Sequence, residues 1–408
     1  MDKHHARHHL FILAFTATLL SLTGCAPHRL YHDEPHEYLQ HLDIPHAATT
    51  ADLAIIEFDD HGTFWDINQL NDTLDLIRQR NEEAERGVLV LVYTHGWKNN
   101  ADPEQTDGDL TRFRAQLHRI AAEPGFQQPD NPDHLIGVYL GWRGATSLIP
   151  LHEQLTFWDR KHTAERLASY AMRETLISLV RTTKERPASK CIVSGHSMGG
   201  LIVGKTLGPA LNTLMLASDD QGTQMLVDLV LLQNPALDAL STWELVEFLK
   251  RSNTTVELRT PSGESMPAPG PFIVSITSET DSATGVSYPL GQFVGNWNRA
   301  FRHDHTPPQP SQRYLATHAE GHVDYLVSHR ARVENGEVVL EPVPGAYNDT
   351  PFWIIQVTPD ISKDHGDIRN PRFGELVRKI YRLNRLYETD IQTWVFRNPG
   401  TPDPVSHR

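Results

Sequence analysis

A serine set between glycines is the residue whose surroundings most clearly predict chemistry in this sequence. Ser197 is the centre of GHSMG (195–199) and follows the apolar run 191–194. Where a Gly-x-Ser-x-Gly ends a buried strand and opens a helix, the turn is so sharp that the serine is strained and the flanking glycines must lack a Cβ. The hydroxyl is then held at the carboxyl edge of the sheet, before a helix N-terminus that favours negative charge. The pattern predicts a nucleophilic serine; the alternative is a plain small-residue turn.

The elements that must position this serine alternate between apolar strand-like runs and helical patterns. Such alternation favours a mainly parallel α/β sheet. The clearest helical pattern is Ala164–Val180, where apolar residues recur every three or four positions, and a second is Phe373–Tyr387. The predicted strands are 53–58, 87–93, 135–140, 190–194, 226–232, 271–277 and 352–357.

Two segments interrupt this alternation. Residues 146–158 (TSLIPLHEQLTFW) carry bulky apolar side chains, which fits a lid or an acyl-pocket wall and also a packed connector. The second segment, 285–351, contains alternating runs around Asn335-Gly336, a strong β-hairpin signal. We expect this hairpin to be an excursion from the core sheet before the last core strand.

The order and content of these parts, from Asp52 to Tyr387, resemble the α/β-hydrolase superfamily on its lipase and esterase side. The resemblance implies an α/β fold with a mainly parallel central sheet flanked by helices. It also implies a serine hydrolase of carboxylic esters that works through an acyl-enzyme and needs no metal or organic cofactor. The same residues would serve an amidase or a thioesterase. A non-catalytic envelope lipoprotein that retains the scaffold and binds a partner is a further alternative.

By this resemblance Ser197 is the nucleophile, and the N–H of Met198, the next residue, is one oxyanion donor. The second donor should come from the loop after the strand 88–94, which runs into His95-Gly96-Trp97. We assign it to the N–H of Trp97. The imidazole of His95 is given no role beyond that of a hydrogen-bonded turn residue.

The acid of such enzymes follows a strand later than the serine. Asp281 lies in the loop SETDSA (278–283) after the strand 271–277 and is the first candidate. Asp238, after the preceding strand, is the alternative acid, and Glu279 comes third. Any of the three carboxylates could instead cap a helix.

The base must follow the acid in chain order. Seven histidines come after Asp281, and they are His303, His305, His318, His322, His329, His365 and His407. His365 fits best, because its loop DHGDI (364–368) follows the last core strand. His322 is the alternative base.

Metal and nucleic acid are both disfavoured. His318 and His322 have the spacing of two ligands on one helical face, but 23 histidines in 408 residues make about one such pair expected by chance. The net charge is −14, and no stretch concentrates Lys and Arg, so we expect no nucleic-acid partner. The hydrophobic fraction of 39% is that of a globular protein.

The first 25 residues resemble a bacterial lipoprotein signal. Lys3 and Arg7 precede the apolar run Leu10–Leu22, which is short for a membrane span. The run ends in LTGC (22–25), which is similar to the lipobox whose cysteine, here Cys25, becomes lipidated. A plain signal peptide is the alternative. Lipidation would leave Cys191 without a disulfide partner, since the chain has two cysteines.

The predicted organisation is therefore a signal peptide over 1–24, a polar tether over 25–50, a hydrolase domain over 51–390 and a tail over 391–408. Ala26 is similar to the pattern of lipoproteins sorted to the outer membrane. We expect a lipid-anchored protein of the bacterial envelope that faces the periplasm or the exterior. Its partners would be a small-molecule or lipid ester and the membrane surface. No pattern indicates an oligomeric state.

Overall fold

Two β-sheets and ten α-helices are present in the described part of the chain. The computed structural model describes residues 29–397 except 45–49, 124–125, 127–131, 147–155, 218–222, 226, 252–254, 260–263, 269, 297, 303–308, 346–349, 385 and 387–392. The predicted signal segment and Cys25 lie outside the described residues.

The strands are β1 Leu39–Leu42, β2 Thr50–Glu57, β3 Val88–Thr94, β4 His134–Gly141, β5 Lys190–His196, β6 Thr223–Met225, β7 Leu229–Gln233, β8 Thr255–Arg259, β9 Ser265–Pro267, β10 Ile273–Ser278, β11 His329–Glu334, β12 Glu337–Pro342, β13 Phe352–Val357 and β14 Thr393–Arg397. All seven predicted strands occur, with ends displaced by at most three residues.

The helices are α1 Pro35–Tyr38, α2 Ile67–Glu83, α3 Asp109–Ala122, α4 Phe157–Leu167, α5 Tyr170–Thr183, α6 Met198–Ala217, α7 Ala239–Arg251, α8 Tyr288–Gly295, α9 Gln312–Thr317 and α10 Pro371–Leu383. A π-helical turn (Ala283–Ser287) precedes α8, and a 3-10 turn (Glu320–His322) follows α9.

The central sheet has ten strands in the order β1-β2-β4-β3-β5-β7-β10-β13-β11-β12. In this order, the eight strands that lie between β1 and β12 are mutually parallel. β1 and β12 pair antiparallel with their neighbours at the two edges of the sheet. A sheet covered by helices on both faces requires continuous apolar strands, and β3 reads VLVLVYT. The fold class is the expected one, an α/β arrangement with a large, mostly parallel central sheet flanked by helices.

Successive residues of β3 point to opposite faces of the sheet, so alternate side chains belong to two separate hydrophobic cores, one on each face. Val88, Val90 and Val92 belong to one core, while Leu89 and Tyr93 belong to the other. Cys191 of β5 is a buried free thiol, so it behaves as a small apolar residue, as expected. Within the residues that the structure describes, none of the helices has the length and apolar composition needed to cross a membrane.

Both ends of the predicted domain need correction. Residues 35–42, predicted as part of the tether, form α1 and β1, and β1 pairs with β2. Residues 393–397, predicted as part of the tail, form β14 in a second sheet of order β6-β14-β8-β9. The reason is the same at both ends: each short strand pairs with a strand far away in the sequence, which local composition does not reveal.

Two further elements differ from the prediction. The helix expected over 164–180 is divided between α4 and α5, because Ser169 is extended and both its N–H and its hydroxyl donate to the carbonyl of Arg166. The hairpin forms as predicted, with Asn335 and Gly336 at positive φ. The hairpin was expected to lie outside the core sheet, but β11 pairs parallel with β13, so the hairpin extends the central sheet at one edge.

Candidate active site

The turn between β5 and α6 places Ser197 at the carboxyl edge of the sheet. The serine has a φ of 57°, a left-handed conformation that side chains rarely adopt. A Cβ on Gly195 would overlap the carbonyl of Gly199, and a Cβ on Gly199 would overlap that of Thr94. The strand, the helix and the end of β3 can approach this closely only because both positions are glycine.

Three side chains form one continuous hydrogen-bonded chain at this edge. The Oγ of Ser197 lies 2.7 Å from Nε2 of His365, and Nδ1 of His365 lies 2.7 Å from Oδ2 of Asp281. Because a carboxylate only accepts, Nδ1 carries the proton, and the neutral imidazole accepts the serine O–H at Nε2. Asp281 has 1% exposure and Ser197 7%, whereas the side chain of His365 is 26% exposed. Only the base faces solvent substantially.

Asp281 is held by the π-helical turn that follows it. Its Oδ1 accepts from the N–H groups of Ala283 (2.9 Å) and Thr284 (3.2 Å), and its Oδ2 accepts from the hydroxyl of Thr284. Burial opposes ionisation, but the hydrogen bonds from His365 and Thr284 outweigh it and lower the pKa of the Asp281 carboxyl. The carboxylate is therefore charged at neutral pH and oriented by several donors.

Of the two backbone groups expected to hold an oxyanion, Met198 directly follows the serine, and Trp97 follows Gly96, where a Cβ would come within 2.8 Å of the Cβ of Ser197. Met198 is the first residue of α6, so its N–H is among those without an acceptor inside the helix. Trp97 lies in the turn after β3, which is fixed by a 3.2 Å hydrogen bond from the N–H of Lys98 to the carbonyl of Gly144. The Trp97 ring packs edge-on against Phe157, at the end of the apolar segment 146–158. Residues 147–155 of that segment lie outside the described residues.

The imidazole of His95 has a structural position. Its Nδ1 donates to the carbonyl of Gly96 (2.8 Å), and its Nε2 accepts from the N–H of Trp142 (3.0 Å). The ring is buried and stacks on Trp142 and Tyr139. Burial lowers the pKa of His95, which keeps the ring neutral in this bonding pattern.

The two alternative residues are engaged elsewhere. Asp238 accepts from the N–H and the hydroxyl of Ser241 at the start of α7 and pairs with Lys205 at 3.1 Å. It acts as a helix-capping carboxylate. His322 contacts the acid indirectly: its Nε2 lies 3.0 Å from the hydroxyl of Thr284, which donates to Asp281. Asp281 and His365 are thus the pair that the structure brings to Ser197. Glu279 is exposed at the end of β10.

Two polar residues that sequence reasoning did not assign contact the base. His196, next to the serine, and Asn234, just after β7, both donate to the backbone carbonyl of His365. No short-range pattern marks these contacts, because they join residues more than 130 positions apart. The one local signal is an asparagine at a strand end, where a left-handed conformation is tolerated.

The His318–His322 pair does not share one helical face. His318 follows α9 and hydrogen-bonds through Nδ1 to the carbonyl of Tyr314 (2.9 Å), whereas His322 lies in the 3-10 turn. Among the described residues, no group of three or more His, Cys, Asp or Glu side chains could hold a metal ion.

No protein-family model and no curated protein matches the chain. Among solved structures it is similar to the peroxisomal alpha-beta-hydrolase Lpx1 from Saccharomyces cerevisiae, with a TM-score of 0.23 and 13% identity over 74% of this chain and 77% of that one. A likeness this low indicates nothing about function.

Proposed function

We propose that the protein is a serine hydrolase of carboxylic esters that works through an acyl-enzyme. The observation that carries the proposal is the chain of two 2.7 Å hydrogen bonds from Ser197 through His365 to Asp281. A serine hydroxyl is a weak nucleophile, and it is activated by an adjacent base whose other nitrogen is oriented by a third group. The arrangement meets each of these requirements.

Acylation uses groups already in contact. The Oγ of Ser197 attacks the acyl carbon while its proton moves to Nε2 of His365. The N–H groups of Met198 and Trp97 hold the developing oxyanion, and a single such donor contributes about a hundred- to a thousandfold in turnover. The bond to the leaving alcohol then breaks as His365 returns the proton to the alcohol oxygen. The acyl group remains on Ser197.

Deacylation repeats the steps with water. His365 takes a proton from water, whose oxygen attacks the acyl carbon, and then returns the proton to Ser197 as the carboxylic acid leaves. In both halves Asp281 keeps the Nδ1 proton in place and stabilises the transient imidazolium. Every proton moves between the substrate, water and residues of this chain.

The test compares the purified protein with Ser197→Ala on p-nitrophenyl esters of short and long acyl chains, with matched amides and thioesters. We expect Ser197→Ala to lose at least about a thousandfold in kcat. The matched control is Ser194→Ala, three residues earlier on β5, whose hydroxyl donates to the carbonyl of Val92. Equal turnover by the wild type and Ser197→Ala would contradict the mechanism. Faster cleavage of amides or thioesters would change the substrate class and leave the mechanism intact.

We also propose that a lipid on Cys25 holds the protein at a bacterial envelope membrane, as the lipobox resemblance implies. Only six residues after Cys25 in the sequence, the chain is attached to the central sheet. The backbone N–H groups of Tyr31 and His32 donate to the carboxylate of Glu57, the last residue of β2. Glu57 ends a parallel strand of the sheet that carries Ser197, so the attachment lies at the carboxyl edge. A lipid ester would then be presented to the edge that carries the site. Metabolic labelling with a fatty-acid analogue should mark the wild type and not Cys25→Ala; equal labelling contradicts the anchor.

A further inference from the structure

The base lies in a loop, so its position depends on what holds that loop. His365 lies between β13 and α10, outside any helix or strand. The hydroxyl of Ser278 donates to the carbonyl of Ser362 (2.6 Å), and the hydroxyl of Thr280 donates to that of Lys363 (2.8 Å). These bonds hold the loop before the base. The peptide of the base itself is held by two other side chains.

The carbonyl oxygen of His365 accepts from Nε2 of His196 (2.8 Å) and from Nδ2 of Asn234 (2.9 Å). A carbonyl oxygen has two lone pairs, so these donors saturate it. Holding this carbonyl restrains the backbone of His365, and with it the Cα–Cβ bond from which the imidazole extends.

Asn234 connects the loop of the base to β10, the strand that precedes Asp281. It is fully buried and has a φ of 43°. While its Nδ2 donates to His365, its Oδ1 accepts from the N–H of Ser278 at 2.9 Å. Ser278 ends β10 and lies three residues before Asp281. One amide thus spans the distance between the strand that carries the acid and the loop that carries the base.

The same residue is tied to the nucleophile through the backbone. The N–H of Ala236, two residues later, donates to the carbonyl of Ser197 at 3.0 Å. His196 makes a second connection, because it adjoins Ser197 in sequence and donates to His365. Burial lowers the pKa of His196 to about 4, so the ring is neutral at pH 7, with its proton on Nε2 facing the carbonyl.

We propose that Asn234 and His196 are positioning residues that fix the His365 imidazole between Ser197 and Asp281. This inference rests on the proposed function, since it concerns the geometry of that triad. A base displaced by about 1 Å can lose about a hundredfold in rate, although substrate binding is unchanged. Loss of either donor should therefore lower kcat with little change in KM.

The main variant is Asn234→Gly, which tolerates the positive φ. It removes all the hydrogen bonds of the Asn234 side chain: those donated to the carbonyls of His365 and Asp364 and the one accepted from the N–H of Ser278. We expect kcat to fall about 10- to 100-fold, with KM within about twofold of the wild type. The matched control is Asn335→Gly, since Asn335 also has a positive φ (51°) but lies in the β11–β12 turn. It should keep wild-type kcat.

A second variant, Asn234→Asp, separates positioning from a purely structural role. A protonated aspartic acid can still donate to the His365 carbonyl, whereas the carboxylate cannot. The loss of kcat in Asn234→Asp, relative to the wild type, should therefore grow as pH rises through the titration of the new carboxyl. In Asn234→Gly the relative loss should be the same at every pH.

His196 is tested by rescue. His196→Leu removes the donor and should lower kcat about tenfold, whereas the amide of His196→Gln should restore part of the rate. Circular dichroism and the melting temperature report the folded fraction of each variant, to which rates are normalised.

The outcomes are distinct. If Ser197→Ala is inactive but Asn234→Gly keeps wild-type kcat after normalisation, the positioning role is wrong and the proposed function stands. A pH-independent loss in Asn234→Asp, or no difference between His196→Gln and His196→Leu, likewise overturns the positioning role. If Ser197→Ala is as active as the wild type, the proposed function fails first.

Discussion

The serine turn and the base loop are held in place by different means. Around Ser197 the fixing contacts are between backbone atoms, since Gly195 and Gly199 leave no room for a Cβ. Around His365 the fixing contacts come from side chains on other elements, among them His196 and Asn234. A turn built by its own glycines is encoded within five residues. A loop held by distant side chains is encoded across the whole chain, and it can be loosened one bond at a time.

The largest effect should come from Gly199→Ala. The new Cβ would overlap the carbonyls of Thr94 and His95, and backbone at the end of a central strand cannot move away. We expect a loss of about 5 kcal/mol or more in the free energy of unfolding, and little folded protein on expression. The matched control is Gly208→Ala in the same helix, where a Cβ meets nothing within 4 Å. It should gain up to about 1 kcal/mol. A folded, active Gly199→Ala would contradict the backbone account of the turn.

The next effect should come from Arg369→Met, on the base side. Arg369 lies four residues after His365 and pairs at 2.7 Å with Asp109, which also accepts from the hydroxyl of Tyr93. Removing the guanidinium leaves the buried carboxylate of Asp109 without a positive charge beside it. The free energy of unfolding should therefore fall by about 3–5 kcal/mol.

The control for this variant is Arg332→Met on the exposed hairpin, where Arg332 pairs with Glu341. An exposed pair contributes at most about 1 kcal/mol. Urea denaturation of both variants measures the difference. Equal losses would show that the pair between Arg369 and Asp109 does not fasten the base loop.

A pH-dependent effect is expected at Glu320, which is fully buried beside Thr242. Burial raises the pKa of the Glu320 carboxyl from 4.5 to about 7. Between these values the folded protein binds the proton more tightly than the unfolded chain. The stabilisation is therefore complete below pH 4.5 and is lost as pH rises to about 7.

The wild type should lose about 2–3 kcal/mol across this range relative to Glu320→Gln, which has no proton to release. The difference between the two denaturation curves, measured from pH 4.5 to 8, isolates this group. Parallel curves would exclude the raised pKa.

The smallest effect should come from Thr284→Val, which removes one of several donors to Asp281 and keeps the branched shape. We expect kcat to fall about 3- to 10-fold with unchanged KM. Thr175→Val is the matched control, because Thr175 is buried and donates to a helix carbonyl on α5. Equal kcat in the two variants would mean that the remaining donors hold the acid without Thr284.

The same distinction explains what could be predicted from the sequence. The strands of the central sheet are continuous apolar runs, and such a run predicts a buried strand by itself. β3 and β5 could therefore be predicted almost to the residue. The serine turn was predicted because its glycines are neighbours. Asp281 and His365 were selected by their order along the chain after predicted strands, and the structure brings them to the serine.

Pairings between distant segments were not predicted. β1 lies in a polar stretch from which few residues enter the core, among them Tyr38 at the end of α1 and Leu42 of β1, so the stretch shows no apolar period. β14 is five residues long and pairs with β6 and β8 of a sheet that no pattern indicates. Asn234 and His196 belong to the same class, since their partner is a carbonyl that any residue could supply.

The most direct measurement of the central claim is covalent labelling with a fluorophosphonate, followed by intact-mass and peptide mass spectrometry. We predict one adduct per chain, on the peptide that contains Ser197. Labelling should be absent in Ser197→Ala and at least about a hundredfold slower in His365→Ala, because the hydroxyl loses its base. A wild-type protein that remains unlabelled, or an adduct that persists in Ser197→Ala, would contradict the assignment of Ser197, His365 and Asp281 as one catalytic unit.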